Sequence, residues 1–263
     1  MNVLRVLLKK LPIKLYVCII SISKNLKNRK THLATDGNFI KVNDLGKNLT
    51  WYVHRERLHL YLNGLEERGN SIGKSYLLGD IRFDDGDVVL DCGANMGDLQ
   101  LYFYSKGIKI NYIGFEPNPL DYNCLSKNLL NDSKSINLAL WNSKSELKFY
   151  VDSKSASSSL IEPPFFSEII SVSASRLDEI QLPSLIKLFK VEGEGAEPEI
   201  LLGSINILDR IEYVSVDAGP ERGILQSSTK TEVMDILEKN GFSLVKENPF
   251  HRKTILFRNN KLI

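Results

Sequence analysis

Apolar residues in this 263-residue chain gather in short runs, separated by longer stretches in which they recur every three or four positions. Residues 88–90, 111–115, 185–191 and 213–216 are such runs, each ending at charged or turn-forming residues, and they read as buried strands. Between them Leu99, Leu101, Tyr102 and Phe103, then residues 119–130, then Ile200, Leu201, Ile205 and Ile207 carry helical spacing. Residues 229–240 read as another helix, closed by Gly241. Residues 136–140, 146–151 and 169–173 read as further strands, and 242–246 with 253–257 as a closing hairpin. Strands alternating with helices predict an α/β, doubly wound sheet, to which the hairpin adds an antiparallel strand. Ahead of it, residues 50–78 look helical with a break at Gly64 and read as a cap over the ligand edge of the sheet. The expected organisation is an N-terminal extension (1–48) and one domain (49–263), divided into cap (49–80) and core (81–263).

Charge changes this picture at one end. Residues 1–30 hold eight basic side chains and no acid, so the rest of the chain carries six more acids than bases despite an overall net charge of +2. The longest apolar piece there, residues 15–20, is far too short to span a bilayer, which takes about 20 residues, and no small-residue cleavage site follows it. Two readings stay open: a basic amphipathic segment resting on an anionic membrane surface, or a helix packed on the domain. Nucleic acid is not an expected partner, because the rest of the chain is acidic. Cys18, Cys92 and Cys124 are odd in number and not spaced as metal pairs, which points to a reducing, cytoplasmic setting, at the inner membrane face if the basic segment docks there.

The chemistry concentrates in residues 87–98, Asp-Val-Val-Leu-Asp-Cys-Gly-Ala-Asn-Met-Gly-Asp, which read as strand, tight glycine turn and helix. Such a turn lets a ligand approach the backbone, and in open α/β sheets ligands sit beyond the carboxyl ends of the strands. Asp91 ends the strand and Asp98 opens the helix. A phosphate-binding turn avoids carboxylates in these places, whereas a ligand with an ammonium and a sulfonium suits them, so S-adenosylmethionine is the expected cofactor. Roughly 20 residues on, Glu116 closes the next strand, the place of an acid that bonds a ribose diol; Pro117 and Asn118 fix the chain behind it. Ala139 and Leu140 are placed to lie against an adenine ring.

The pattern Asp91-x-Gly93-x-Asn95-x-Gly97 resembles the first motif of Rossmann-like, class I methyltransferases. Together with Phe115-Glu116-Pro117-Asn118-Pro119, the serine cluster before Leu160, Arg176-Leu177-Asp178, Lys190-Val-Glu192-Gly-Glu194-Gly195-Ala196-Glu197 and Gly219-Pro220-Glu221-Arg222-Gly223, in this order, it resembles the FkbM family of methyltransferases from about residue 57 to 257. The resemblance implies S-adenosylmethionine-dependent O-methylation of a hydroxyl, in a sugar of a glycan or glycolipid or in a secondary metabolite. It implies a cofactor site of Asp91, Gly93, Asn95, Gly97, Asp98, Glu116, Pro117, Asn118, Ala139 and Leu140, with Ser158, Ser159, Glu194 and Arg222 on the acceptor side. One departure stands out: the family usually has Asp where this chain has Glu192. Glu192 and Asp217, expected at the ends of neighbouring strands, suit either a Mg²⁺ ion or metal-free bonding to the acceptor with one carboxylate as base. His251 is a second candidate base. Two competing readings are a nicotinamide-dependent oxidoreductase, which the carboxylates at the turn disfavour, and an inactive, membrane-associated binding module with the same fold.

Overall fold

The computed structural model describes residues 8, 10–25, 31–44, 46–152, 158–248 and 253–262, and helix α1 spans Ile13–Asn25. It lies on a small antiparallel sheet of β1 (Thr31–Thr35), β2 (Ile40–Asp44) and β3 (Leu49–Val53). Alternation builds that sheet: Leu33, Ile40, Val42, Trp51 and Val53 fall on one buried face, where Tyr16 and Val17 of α1 meet them. Among the described residues no helix is long and apolar enough to cross a membrane.

The sheet corrects two expectations. Residues 50–53 are strand rather than helix, because Thr50, Trp51, Tyr52 and Val53 are β-branched or aromatic and pair with residues 40–43. The expected boundary at residue 48 therefore falls inside a hairpin. The helical part of the cap comes later, as a 3₁₀ stretch (Arg55–Tyr61) and α2 (Leu65–Ser75).

The core continues with β4 (Val88–Cys92), α3 (Leu99–Lys106), β5 (Asn111–Phe115), α4 (Pro119–Leu125) and β6 (Lys134–Ile136). A side sheet follows, of β7 (Ala139–Leu140), β8 (Ser145–Val151) and β9 (Glu168–Ser175). The chain then returns through β10 (Ile186–Val191), α5 (Glu197–Leu202) and β11 (Ile211–Asp217). A short hairpin, β12 (Pro220–Arg222) and β13 (Ser227–Ser228), precedes α6 (Lys230–Lys239), β14 (Phe242–Glu247) and β15 (Thr254–Asn259).

Among the described residues the main sheet has seven strands in the order β14-β15-β11-β10-β4-β5-β6. The pairs from β11 to β6 are parallel, and β15 runs antiparallel to both β11 and β14, as the closing hairpin predicts. Phe189, Lys190 and Val191 are all buried, the mark of a strand covered on both faces. From β4 the chain winds outward to β6, then returns on the other side through β10. The β4/β10 junction is thus a topological switch point, where a ligand crevice opens beyond the strand ends.

Two elements differ from the sequence pattern. The run 136–140 splits: Ile136 ends β6 in the main sheet and Ala139 starts β7 in the side sheet, while the Asn137 amide turns back to donate to the Glu116 and Pro117 carbonyls (2.8 and 3.0 Å). Helix α4 stops at Leu125 instead of residue 130. Beyond it, the Asn128 side chain accepts from the Tyr52 N–H (2.7 Å) and donates to the Tyr52 and Met96 carbonyls (2.8 and 2.9 Å), stitching the small sheet to the glycine turn. The cap is closely fitted too, since a Cβ on Gly69 of α2 would lie 2.5 Å from the Leu101 carbonyl oxygen of α3.

Candidate active site

The principal cavity opens at the switch point. Asp91 to Asn95 form its floor at the end of β4 and just beyond, Glu116 and Pro117 one wall beyond β5, Lys190 on β10 and Glu192 just after it the opposite wall, and Arg57, Arg68 and Tyr76 of the cap cover it. The floor is shaped by backbone conformation. Gly93, Asn95 and Gly97 all have positive φ (68°, 51° and 86°), and a side chain on Gly93 would overlap the Glu192 carbonyl oxygen, so the two strand ends approach more closely than any other residue permits. The Asn95 N–H donates to Glu116 Oε2 at 2.7 Å, and its side-chain oxygen accepts from the Met96 N–H at 3.1 Å.

Lys190 organises the charges. Its ammonium, 3% exposed, stands 3.0 Å from Asp91 Oδ1 and 3.1 Å from Glu192 Oε2, and donates to the Cys92 and Gly93 carbonyls at 2.8 and 2.9 Å. Burial opposes its charge, but Asp91 and Glu192 more than offset this and hold its pKa above the usual lysine range. Tyr112 donates to Asp91 Oδ2 at 2.8 Å, and Tyr76 donates to Glu192 Oε2. The acids at the two strand ends are thus joined as one row: Tyr112, Asp91, Lys190, Glu192, Tyr76.

Asp98 lies differently from the expectation of an open carboxylate at a helix start. Trp51 Nε1 (3.2 Å) and the Tyr61 hydroxyl (2.6 Å) donate to its Oδ1, and Arg68 Nε to its Oδ2 (2.7 Å), so three segments of the cap converge on it. Even with these pairings, and leaving aside Glu116, five acids (Asp91, Asp98, Asp121, Glu192, Glu194) line the cavity against three cations (Arg57, Arg68, Lys190). The excess of negative charge survives, though its carriers differ from those the sequence suggested.

Glu116 ends β5 with its oxygens held by the Asn95 and Asn118 N–H groups (2.7 and 2.8 Å). Burial, with nearby Asp121 adding to it, pushes its carboxyl up to about 8. Asp121 itself pairs with His54 at 2.8 Å. The Asn118 side chain caps α4 by accepting from the Leu120 N–H at 3.0 Å, so only its backbone serves Glu116. Leu138, Ala139 and Leu140, with Phe115, supply the apolar side of the cavity.

The other expected residues divide. Glu192, Glu194 and Ser158 line the cavity; Asp217, Ser159 and Arg222 do not. Asp217 is buried and accepts from the Gly219 N–H at 3.3 Å. Of the two readings of Glu192 and Asp217, the Mg²⁺ one finds no support: among the described residues no group of three or more His, Cys, Asp or Glu side chains is placed to hold a metal ion. Glu192 moreover already faces an ammonium, which would repel a second cation. Ser159 donates to the Glu194 carbonyl (2.8 Å) and accepts from the Ile161 N–H (3.0 Å), tying its loop down. Arg222 grips Glu199 with two bonds (2.6 and 2.8 Å) and the Gly195 carbonyl with a third, a structural clamp rather than an acceptor contact. His251 lies outside the described residues.

Several working residues were given no role by the sequence reading, although Lys190 and Glu197 stand in the motif that begins at the end of β10. Lys190 carried a signal, since a lysine inside an apolar strand must be paired when buried. Tyr76, Tyr112 and Arg68 carried none, because only the packing of cap and core brings them to the carboxylates. Glu197 is similar: it is buried and accepts from the Gly193 and Gly195 N–H groups (2.9 and 3.0 Å) and the Thr229 hydroxyl (2.8 Å), fixing the loop after β10.

A mixed sheet with a parallel centre and this switch point, a glycine turn after β4 and an acid closing β5 define a Rossmann-like α/β fold. The chain belongs to the FkbM family: the model of the Methyltransferase FkbM domain matches residues 91–244. Similar solved structures include the methyltransferase FkbM from Methylobacillus flagellatus KT, 18% identical with a TM-score of 0.49, covering 68% of this chain and 45% of that one. TrmK of M. capricolum in complex with S-adenosyl-homocysteine is 15% identical with a TM-score of 0.40, covering 74% and 68%. A precorrin-6y C5,15-methyltransferase from Geobacter metallireducens GS-15 is 14% identical with a TM-score of 0.38, covering 68% and 81%. This chain spans less than half the length of the M. flagellatus protein. No curated protein matches the sequence.

Proposed function

We propose that the protein transfers a methyl group from S-adenosylmethionine to a hydroxyl of a neutral acceptor, a sugar in a glycan, glycolipid or secondary metabolite. The observation that carries this reading is Glu192, a carboxylate facing the cavity and held between Lys190 and Tyr76. Family membership takes the place of the nicotinamide-dependent reading.

The residues fit the cofactor. Glu116, with both oxygens oriented by backbone N–H groups, suits a ribose diol; Ala139 and Leu140 suit the adenine ring; and the acidic excess suits a ligand with two positive centres and no phosphate. When bound, S-adenosylmethionine supplies an activated methyl group whose C–S bond breaks as the acceptor oxygen bonds to carbon, sulfur keeping the electron pair. The protein aligns the acceptor and receives its proton. The hydroxyl grows acidic as its new bond forms, so a carboxylate beside an ammonium is a sufficient base, and Glu192 takes the proton. Lys190 balances Asp91 and Glu192 without itself acting as a base, since its pKa is held high. No step requires a metal ion. On the acceptor side we retain Ser158 and Glu194, both on the cavity wall.

Thermal denaturation with S-adenosylhomocysteine tests the cofactor. Ligand at 100 times its dissociation constant stabilises the fold by about 2.7 kcal/mol, and absence of any shift overturns the assignment. Labelled methyl transfer to a panel of hydroxyl compounds tests the chemistry. Glu192→Gln is expected to keep cofactor binding and lose about 100-fold or more in turnover. Tight binding with no turnover in the wild type would favour the inactive-module reading.

A further inference from the structure

We propose that Arg57 of the cap holds the carboxylate of the cofactor's aminoacyl tail, so that the site selects S-adenosylmethionine by its one anionic group. This rests on the cofactor reading above and extends it to a part of the molecule that the acidic lining does not suit. A carboxylate entering a cavity rich in acids is repelled by most of the wall. It binds only where a cation is not already neutralised.

Arg57, Arg68 and Lys190 are the cations of the lining, and two of them are committed to the protein's own acids. Lys190 stands 3.0 Å from Asp91 and 3.1 Å from Glu192, and Arg68 grips Asp98 through Nη2 (2.6 Å) and Nε (2.7 Å). Asp98 is filled in turn, since Trp51 and Tyr61 donate to its other oxygen. Arg57, by contrast, has no ion pair or side-chain hydrogen bond among the described residues. Its guanidinium keeps paired N–H donors that match the two oxygens of a carboxylate.

Local structure aims this side chain at the cavity. Arg57 belongs to the 3₁₀ stretch Arg55–Tyr61, in which residues three apart stand one above the other. Leu58 and Tyr61 form the side buried with the small sheet, and Arg57 and Leu60 form the side that lines the cavity. The stretch is pinned at both ends: the Arg57 N–H donates to the His54 carbonyl (3.1 Å), and the Tyr61 hydroxyl to Asp98 (2.6 Å). The charge of Arg57 reaches that same corner. Burial above all, with Asp98, drives the Tyr61 pKa up, and Arg68 and Arg57 oppose them.

The test is calorimetric titration of the full chain with S-adenosylhomocysteine and with its decarboxylated analogue, adenosyl-thiopropylamine, which keeps the adenosine and the ammonium and lacks only the carboxylate. The wild type is expected to bind S-adenosylhomocysteine roughly 10- to 100-fold more tightly, the range that a hydrogen bond between charged groups supplies. Arg57→Gln should erase that ratio by weakening S-adenosylhomocysteine alone, with the analogue's affinity and the ligand-free melting temperature unchanged. Arg57→Lys, which keeps the charge and loses the paired donors, should retain part of the ratio. A wild-type ratio near one, a ratio that survives Arg57→Gln, or equal weakening of both ligands by Arg57→Lys would each overturn the proposal. Should Arg57→Gln melt below the wild type, the ratio in Arg57→Lys decides alone. Binding of neither compound to the wild type overturns the cofactor assignment and the proposal with it, whereas binding of both without dependence on Arg57 removes the proposal and leaves the cofactor assignment standing.

Discussion

Lys190 shows how much of a site can hang on one side chain. It is buried with carboxylates on two sides and two backbone carbonyls beneath it. Replacing it with methionine keeps the length and removes the charge, leaving Asp91 and Glu192 in the interior without their cation. Lys190→Met is expected to cost about 3–5 kcal/mol in urea unfolding; a loss below about 1 kcal/mol would show that the row of charges contributes little to the fold. Glu116 supplies the matching pH prediction. With its carboxyl pushed up to about 8, it is protonated at pH 6 and gains charge as pH rises. A ribose diol donates two hydrogen bonds and the ionised form accepts both, so S-adenosylhomocysteine affinity should rise between about pH 6.5 and 9 and become flat in Glu116→Gln. For the unliganded fold the same shift acts in the opposite sense. The unfolded carboxyl ionises near 4.5, so the native state binds the extra proton, and this group's contribution to stability declines as pH rises from there to about 8. At this scale the carboxylates Asp91, Glu116 and Glu192 were legible in the sequence, because strand ends and glycine turns announce themselves locally. Their hydroxyl partners were not, since Tyr76 lies in the cap and Tyr112 on a neighbouring strand, and they meet Glu192 and Asp91 only through tertiary packing.

Helices α2 and α3 illustrate the same limit between elements. Periodicity indicated both, yet nothing local says that Gly69 packs against the backbone of α3. Gly69→Ala improves helix propensity by roughly 1 kcal/mol but places a methyl group against the Leu101 carbonyl. The expected result is a net loss of stability of about 1–3 kcal/mol, the usual cost of overpacking; a stabilised variant would mean that the helices slide apart freely. Four of the parallel strands, β4, β5, β10 and β11, were legible to within two residues at each end, being apolar runs in the middle of the sheet. The misread elements are those whose pairing is decided elsewhere. Residues 50–53 are strand because residues 40–43 lie beside them, and residues 136–140 divide between two sheets because Asn137 bonds the carbonyls after β5.

For the molecule as a whole, charge is segregated: eight basic residues and no acid in residues 1–30, and an excess of six acids beyond them. Helix α1 buries Tyr16 and Val17 against the small sheet, as the reading of a helix packed on the domain has it, while Lys14, Leu15 and Ile22 are exposed; we propose that the exposed side also rests on anionic lipid. The full chain is expected to sediment with phosphatidylserine-containing vesicles at low salt and to be released as screening rises toward about 0.5 M salt; equal sedimentation with neutral vesicles would refute an electrostatic contact. The overall architecture was readable because a doubly wound sheet is set by the order of its elements, while the small β1–β3 sheet rests on short alternating segments that carry a weaker signal. That small sheet has one more consequence. The chain holds two tryptophans, and one of them, Trp51, is fully buried with its indole N–H bonded to Asp98 on the cavity wall. A cationic ligand entering the cavity alters the electric field across that indole, so the colour of the protein's own fluorescence reports on occupancy, and the cap carries an optical gauge of the site beneath it.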